Sequence, residues 1–127
     1  MRIEPYARVD DTPFSATSQQ IEALRGPPLR RLRNAVGLNE LDYGDVVFRF
    51  QDCGRLEEVS RLSPVVFLGG ETILFPALAA FVRRTDPDLF ERGGFLVSPR
   101  HGIAFDPACP SWVTALAAHC IDTWRAL

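Results

Sequence analysis

Residues 38–60 read LNELDYGDVVFRFQDCGRLEEVS, and their periodicity decides the fold class. Leu41 and Tyr43 alternate with Glu40 and Asp42, as in a strand with one face buried and the other wet. Beyond Gly44-Asp45 the alternation resumes, with Val46, Phe48 and Phe50 set against Val47, Arg49 and Gln51. Asp52-Cys53-Gly54 then supplies a tight turn into a third strand over residues 55–60. Three strands on short turns predict an antiparallel meander. Its Leu41, Tyr43, Val46, Phe48 and Phe50 side chains face a core, and many of its acids face solvent.

Working outward, Thr17 and Gln20 have the spacing of a capping box ahead of Ile21 and Leu24, and Gly26-Pro27-Pro28 stops that helix after two turns. Residues 2–9 read as a short N-terminal strand ending at Asp10-Asp11-Thr12-Pro13. Downstream, residues 65–68 and 72–75 flank Gly69-Gly70 as a further hairpin. Pro76 opens a second helix with Leu78, Phe81 and Val82 as its apolar stripe, and Asp86-Pro87-Asp88 ends it. Residues 95–98 and 103–105 form two more strands around Pro99-Arg100-His101-Gly102. Ser111 is placed to cap a final helix in which Trp112, Leu116, Cys120 and Trp124 recur every four residues. The expected architecture is a single α+β domain over residues 1–127: an antiparallel meander sheet with a short N-terminal helix and two further helices packed on it. A helix followed by a hairpin occurs near residues 18–60 and again near 76–106, without residue-level identity between the two.

The chain has 127 residues, 46% hydrophobic and 24% charged, which excludes a disordered tail, a collagen-like chain and a disulfide-dense miniprotein. Cys53, Cys109 and Cys120 are odd in number and lack CxxC spacing, so they predict neither a disulfide framework nor a zinc knuckle. No signal-like leader or membrane-length apolar run is legible, and a cytoplasmic, soluble protein is expected.

Residue types and spacing bear on several chemistries. Cys109 or Cys120 with His101 or His119 would suit nucleophilic catalysis. However, His119 and Cys120 diverge by about 100° on a helix, and Cys120 falls on its apolar stripe. His101, His119, Cys109 and Asp106 match no common zinc spacing. Gly69-Gly70 and Gly93-Gly94 each precede strands, so they are turns and not phosphate cradles. Glu40 with Asp42 and Glu57 with Glu58 read as solvated faces and not as acid/base pairs. The expectation is no catalytic residue, no cofactor and no metal.

Charge is more informative. All fourteen basic residues are arginine, and the net charge is only −2. Residues 1–37 carry +2 and residues 61–127 are neutral. Residues 38–60 hold six acids against Arg49 and Arg55, a net of −4. Arg25, Arg30, Arg31 and Arg33 form a local basic patch without interleaved aromatics, in a chain of pI near 5.6. They are better partners for the acidic sheet than for nucleic acid.

The run from Gln19 to Pro27, then Gly37 to Gly44, Val47-Phe48-Arg49-Phe50 and Gly54 to Val59, resembles small bacterial immunity-type proteins associated with polymorphic or contact-dependent toxins. The likeness covers roughly residues 14–60, with a weaker echo through residues 95–106. Arg25-Gly26-Pro27-Pro28 stands where a simple Leu-Gly-x-Pro helix stop would be. The resemblance implies a non-enzymatic inhibitor that binds the catalytic domain of a cognate protein toxin, over a basic surface. Glu40, Asp42, Asp45, Asp52, Glu57 and Glu58 are then the expected partner-binding residues. No nucleic acid and no membrane partner is expected, and the oligomeric state is not legible. A secretion chaperone holding an effector segment in an apolar groove is the alternative, and a Cys/His enzyme the third class.

Overall fold

A computed structural model describes residues 1–127 and shows three helices and thirteen strands in two sheets. Strands β1 (Arg2–Glu4), β2 (Arg8–Val9) and β3 (Thr12–Pro13) precede helix α1 (Ser18–Arg25). A four-stranded meander follows: β4 (Arg30–Arg33), β5 (Asn39–Asp42), β6 (Val46–Phe50) and β7 (Leu56–Leu62). The hairpin β8 (Val65–Leu68) and β9 (Glu71–Leu74) leads into helix α2 (Phe75–Thr85). A second meander comprises β10 (Phe90–Arg92), β11 (Phe95–Ser98), β12 (Ile103–Phe105) and β13 (Trp112–Leu116), and α3 (Cys120–Arg125) ends the chain.

The two meanders join into one antiparallel sheet of eight strands in the order β10-β11-β12-β13-β7-β6-β5-β4. Each is preceded by a helix, so the recurring helix-and-hairpin pattern extends to a helix and four strands, twice. Their last strands meet along Trp112↔Leu62 through Leu116↔Glu58. The smaller sheet, β3-β2-β1-β8-β9, contains one parallel pair, β1 with β8.

Sequence chemistry accounts for most of these elements. The Thr17–Gln20 capping box is present in both directions, at 3.2 Å and 3.0 Å, and Ile21 is buried. Pro76 sits in the first turn of α2, whose Leu78, Phe81 and Val82 are buried. Gly69 and Gly70 both have positive φ, the conformation a two-residue hairpin turn requires. Gly102 (φ 62°) turns β11 into β12 beneath Tyr6, and a Cβ there would lie 3.1–3.2 Å from the Tyr6 ring.

One core of 23 buried residues unites the small sheet, α1, α2 and one face of the large sheet, including Ile3, Ile21, Phe48, Leu78 and Phe105. On the other face a cluster of Val97, Ala104, Leu116, Ala117 and Cys120 packs beneath α3, with Trp124 against it. The remainder of that face, over β4–β7, carries rows of mainly polar side chains.

Four expectations are corrected. Residues 2–9 form two short strands around a turn, with Tyr6 at positive φ. Residues 111–124 do not form one helix, because residues 112–116 are strand β13 and the helix starts only at Cys120. The basic patch beside the Gly26-Pro27-Pro28 helix stop contains edge strand β4, and Leu24 is exposed instead of joining the α1 stripe. Finally, many acids of residues 38–60 are expected to face solvent, but only Asp45 and Asp52 are exposed: Asp42 and Glu57 are buried, and Glu40 and Glu58 half-buried.

Candidate functional site

Residues directly opposite one another across a sheet share a face. The row Leu116, Glu58, Arg49, Glu40, Leu32 therefore crosses the second face of the large sheet, next to the row Thr114, Ser60, Val47, Asp42, Arg30. Arg49 stands at the centre. Its guanidinium donates to Glu40 at 2.7 Å, to Glu58 at 3.4 Å and to the Ser60 hydroxyl, which also bonds Thr114 at 2.7 Å. Burial pushes the Glu58 carboxyl above the usual carboxylate range, while Arg49 and the Trp124 indole pull it the other way.

Beside this row lies a cleft of about 320 Å³, walled by Phe95, Trp112 and Trp124 and carrying Arg49, Glu58 and Asp106. Cys109, Ser60 and Thr114 complete the lining. Aromatic faces attract cations; Arg49 offsets the Glu58 charge, and the Asp106 carboxylate adds to that preference.

The six acids singled out from the sequence are scattered, and arginines within the fold hold most of them. Arg30 pairs with Asp42 at 2.6 Å, and that contact with the Gly44 amide holds the Asp42 carboxyl below its usual range. Arg33 pairs with Asp52, lowering it likewise. Arg49 serves Glu40 and Glu58, and Arg55 bonds Glu57 at 3.1 Å. Asp45 alone of the six is exposed without an ion pair. Arg31 pairs with Glu22, and Arg25 lies over the Phe48 and Tyr43 rings at 5.1 and 5.8 Å. The basic patch is thus largely spent inside the fold, as its juxtaposition with an acidic sheet suggested. The net −4 of residues 38–60 is not a free acidic surface.

A second cluster was not legible in the sequence. The β6–β7 register steps from Arg49↔Glu58 to Phe50↔Leu56, leaving Glu57 as the extra residue of a β-bulge. Its carboxylate turns to the start of α3, where His119 Nε2 contacts Oε2 and the Cys120 thiol donates to the same oxygen at 2.9 Å. His119 is the N-cap of α3, and its side chain and that of Cys120 both reach Glu57 Oε2 although they are sequence neighbours. Burial and the nearby Glu57 push the Cys120 thiol far up, opposite to what a thiolate nucleophile requires.

His101, Cys109 and Asp106 do not join a shared cluster. His101 is buried against Phe81, and its Nε2 lies 2.8 Å from the Thr85 hydroxyl. Because that hydroxyl donates to the Phe81 carbonyl, His101 is the donor to Thr85. Asp106 caps the Ala108 amide at 2.8 Å, and Cys53 is exposed on its hairpin turn. No family model matches the chain, and no curated protein or solved structure matches it. No helix is long and apolar enough to cross a membrane.

Proposed function

We propose that this chain is a non-enzymatic protein-binding module of the immunity type, which neutralises a cognate bacterial toxin by binding its catalytic domain. The observation that carries the reading is the cleft between Trp112, Trp124 and Phe95, with Glu58 and Asp106 inside it. Tryptophan and arginine dominate the energetic centres of protein interfaces, especially in desolvated pockets. A lysine or arginine side chain from a basic toxin surface would meet aromatic faces and carboxylates together. The acidic residues contribute unequally: Glu58 lines the cleft, Glu40 is tied to it through Arg49, and exposed Asp45 serves the rim. Asp42, Asp52 and Glu57 act mainly within the fold.

The test is protection of cells and complex formation with the toxin domain encoded beside this chain. Trp112→Ala and Asp106→Asn should each weaken the complex by about 30-fold or more, as substitutions at an interface centre do. Asp45→Arg should mainly slow association, with a smaller effect at high salt. Undiminished protection by folded Trp112→Ala and Asp106→Asn proteins, or absence of a complex, overturns the reading.

One observation favours the chaperone alternative. Leu29 and Val36, which flank edge strand β4 in the chain, are 75% and 70% exposed, and Leu24 of α1 is 81% exposed. That reading requires a homodimer or a bound apolar segment at this edge. A monomer by sedimentation, unchanged by Leu29→Glu, would count against it.

A further inference from the structure

Glu57, His119 and Cys120 each present one ligand atom, and all three atoms lie within 4.8 Å of one another. We infer that this cluster is a zinc-class metal site, with the Glu57 carboxylate, His119 Nε2 and Cys120 Sγ as its three protein ligands. The inference is independent of the protein-binding cleft.

The donor set points to the metal. One sulfur, one imidazole nitrogen and one carboxylate oxygen suit Zn²⁺, whereas Mg²⁺ and Ca²⁺ need more oxygens than the cluster offers. Charge balances as well, because a thiolate, a carboxylate and a neutral imidazole together match a divalent cation. Bonds of about 2.0–2.3 Å in a tetrahedron place donor atoms roughly 3.3–3.6 Å apart. Cys120 Sγ is now 2.9 Å from Glu57 Oε2, and His119 Nε2 is closer still to that oxygen, so both donors move outward from the carboxylate to admit an ion.

The scaffold is built from both sides. The bulge re-aims Glu57 out of the strand ladder, and Arg55 Nε holds its other oxygen at 3.1 Å. Such an outer partner fixes a ligating carboxylate. Across the cluster, the Ala117 amide donates to the Glu57 carbonyl at 2.9 Å, pinning the start of α3 to β7. Access exists through a second cleft of about 310 Å³ lined by Glu57, Cys120, Gln51 and Trp124 among others. Three protein ligands leave the fourth position of a tetrahedron for solvent.

Binding is a ligand exchange without redox. The Cys120 S–H bond breaks, its proton passes to solvent, and the sulfur lone pair forms the metal bond. His119 binds through neutral Nε2, and Glu57 through its existing carboxylate. The immediate consequence is structural, since the ion would tie α3 to the bulge in β7.

The test titrates Zn²⁺, and Co²⁺ as a spectroscopic probe, into metal-free protein carrying Cys53→Ser and Cys109→Ser. Those substitutions remove the two exposed thiols. The expected result is one ion per chain, proton release, a thiolate-to-cobalt charge-transfer band and a melting temperature that rises with Zn²⁺. His119→Ala and Cys120→Ser should each lower affinity by at least about 100-fold and abolish or weaken the cobalt spectrum. His119→Ala keeps the test decisive if Cys120→Ser fails to fold, because His119 is a partly exposed side chain. No stoichiometric binding, or binding and spectrum unchanged in His119→Ala, overturns the proposal. Neither outcome bears on the toxin complex.

Discussion

Asp86 illustrates how one side chain can hold together elements that sequence spacing keeps apart. It is 3% exposed and ends α2, where its Oδ1 accepts the Asp88 amide at 2.8 Å. Its Oδ2 accepts the Ser98 hydroxyl at 2.6 Å and the Arg100 amide at 3.0 Å. Burial opposes the charge, yet these donors hold the carboxyl below its usual range. His101, two residues past the Arg100 turn's start, is lowered by burial, with Asp86 opposing and Arg100 reinforcing the shift. Both depressed groups bind fewer protons folded than unfolded, so both contribute stability that is lost on acidification. The His101 contribution declines below about pH 6.5 and the Asp86 contribution below about pH 3.9, the unfolded values. Urea midpoints measured across this range should fall in those two windows. Asp86→Asn should cost about 2–3 kcal/mol at neutral pH and shrink the lower window, to which the ion-paired Asp42 and Asp52 also contribute.

At the scale of elements, the Glu58–Arg49–Glu40 row stitches β7, β6 and β5 together on the second face of the large sheet. Arg49 is about one-fifth exposed, and its two glutamates less. Arg49→Leu would leave both carboxylates half-buried without their shared counter-ion. A cost of about 2–4 kcal/mol is expected by urea unfolding, and adding Glu58→Gln should recover part of it. The coupling measured in that double-mutant cycle separates the charge effect from lost packing. Sequence alternation identified these three strands but could not show that the acids would be paired. Opposition across strands depends on register, and the bulge at Glu57 resets it.

For the whole molecule, the 23-residue core spans both sheets and two helices, which predicts one cooperative unfolding transition. Leu78 is fully buried on α2, while Trp112 and Trp124 lie on the far side of the large sheet. Leu78→Ala should lower stability by about 2–5 kcal/mol. Tryptophan fluorescence and far-ultraviolet circular dichroism should shift to lower urea by the same amount. Separate transitions would show that the two faces of the large sheet unfold independently.

The sequence by itself determined the α+β class, the β5–β7 meander, the capping box, the glycine hairpins and α2, because each depends on periodicity or on local backbone chemistry. It did not determine β13. Residues 112, 114 and 116 share a face of a strand, and a four-residue interval satisfies the periods of both strand and helix. Pairing with β7, some fifty residues earlier, decided between them. Only the tertiary structure brought Glu57 to His119 and Cys120, through that long-range pairing and one extra residue in β7. It likewise turned a segment of charge −4 into a set of internal ion pairs. Charge totals are fixed by composition, but exposure and partnership follow from which distant strands lie side by side.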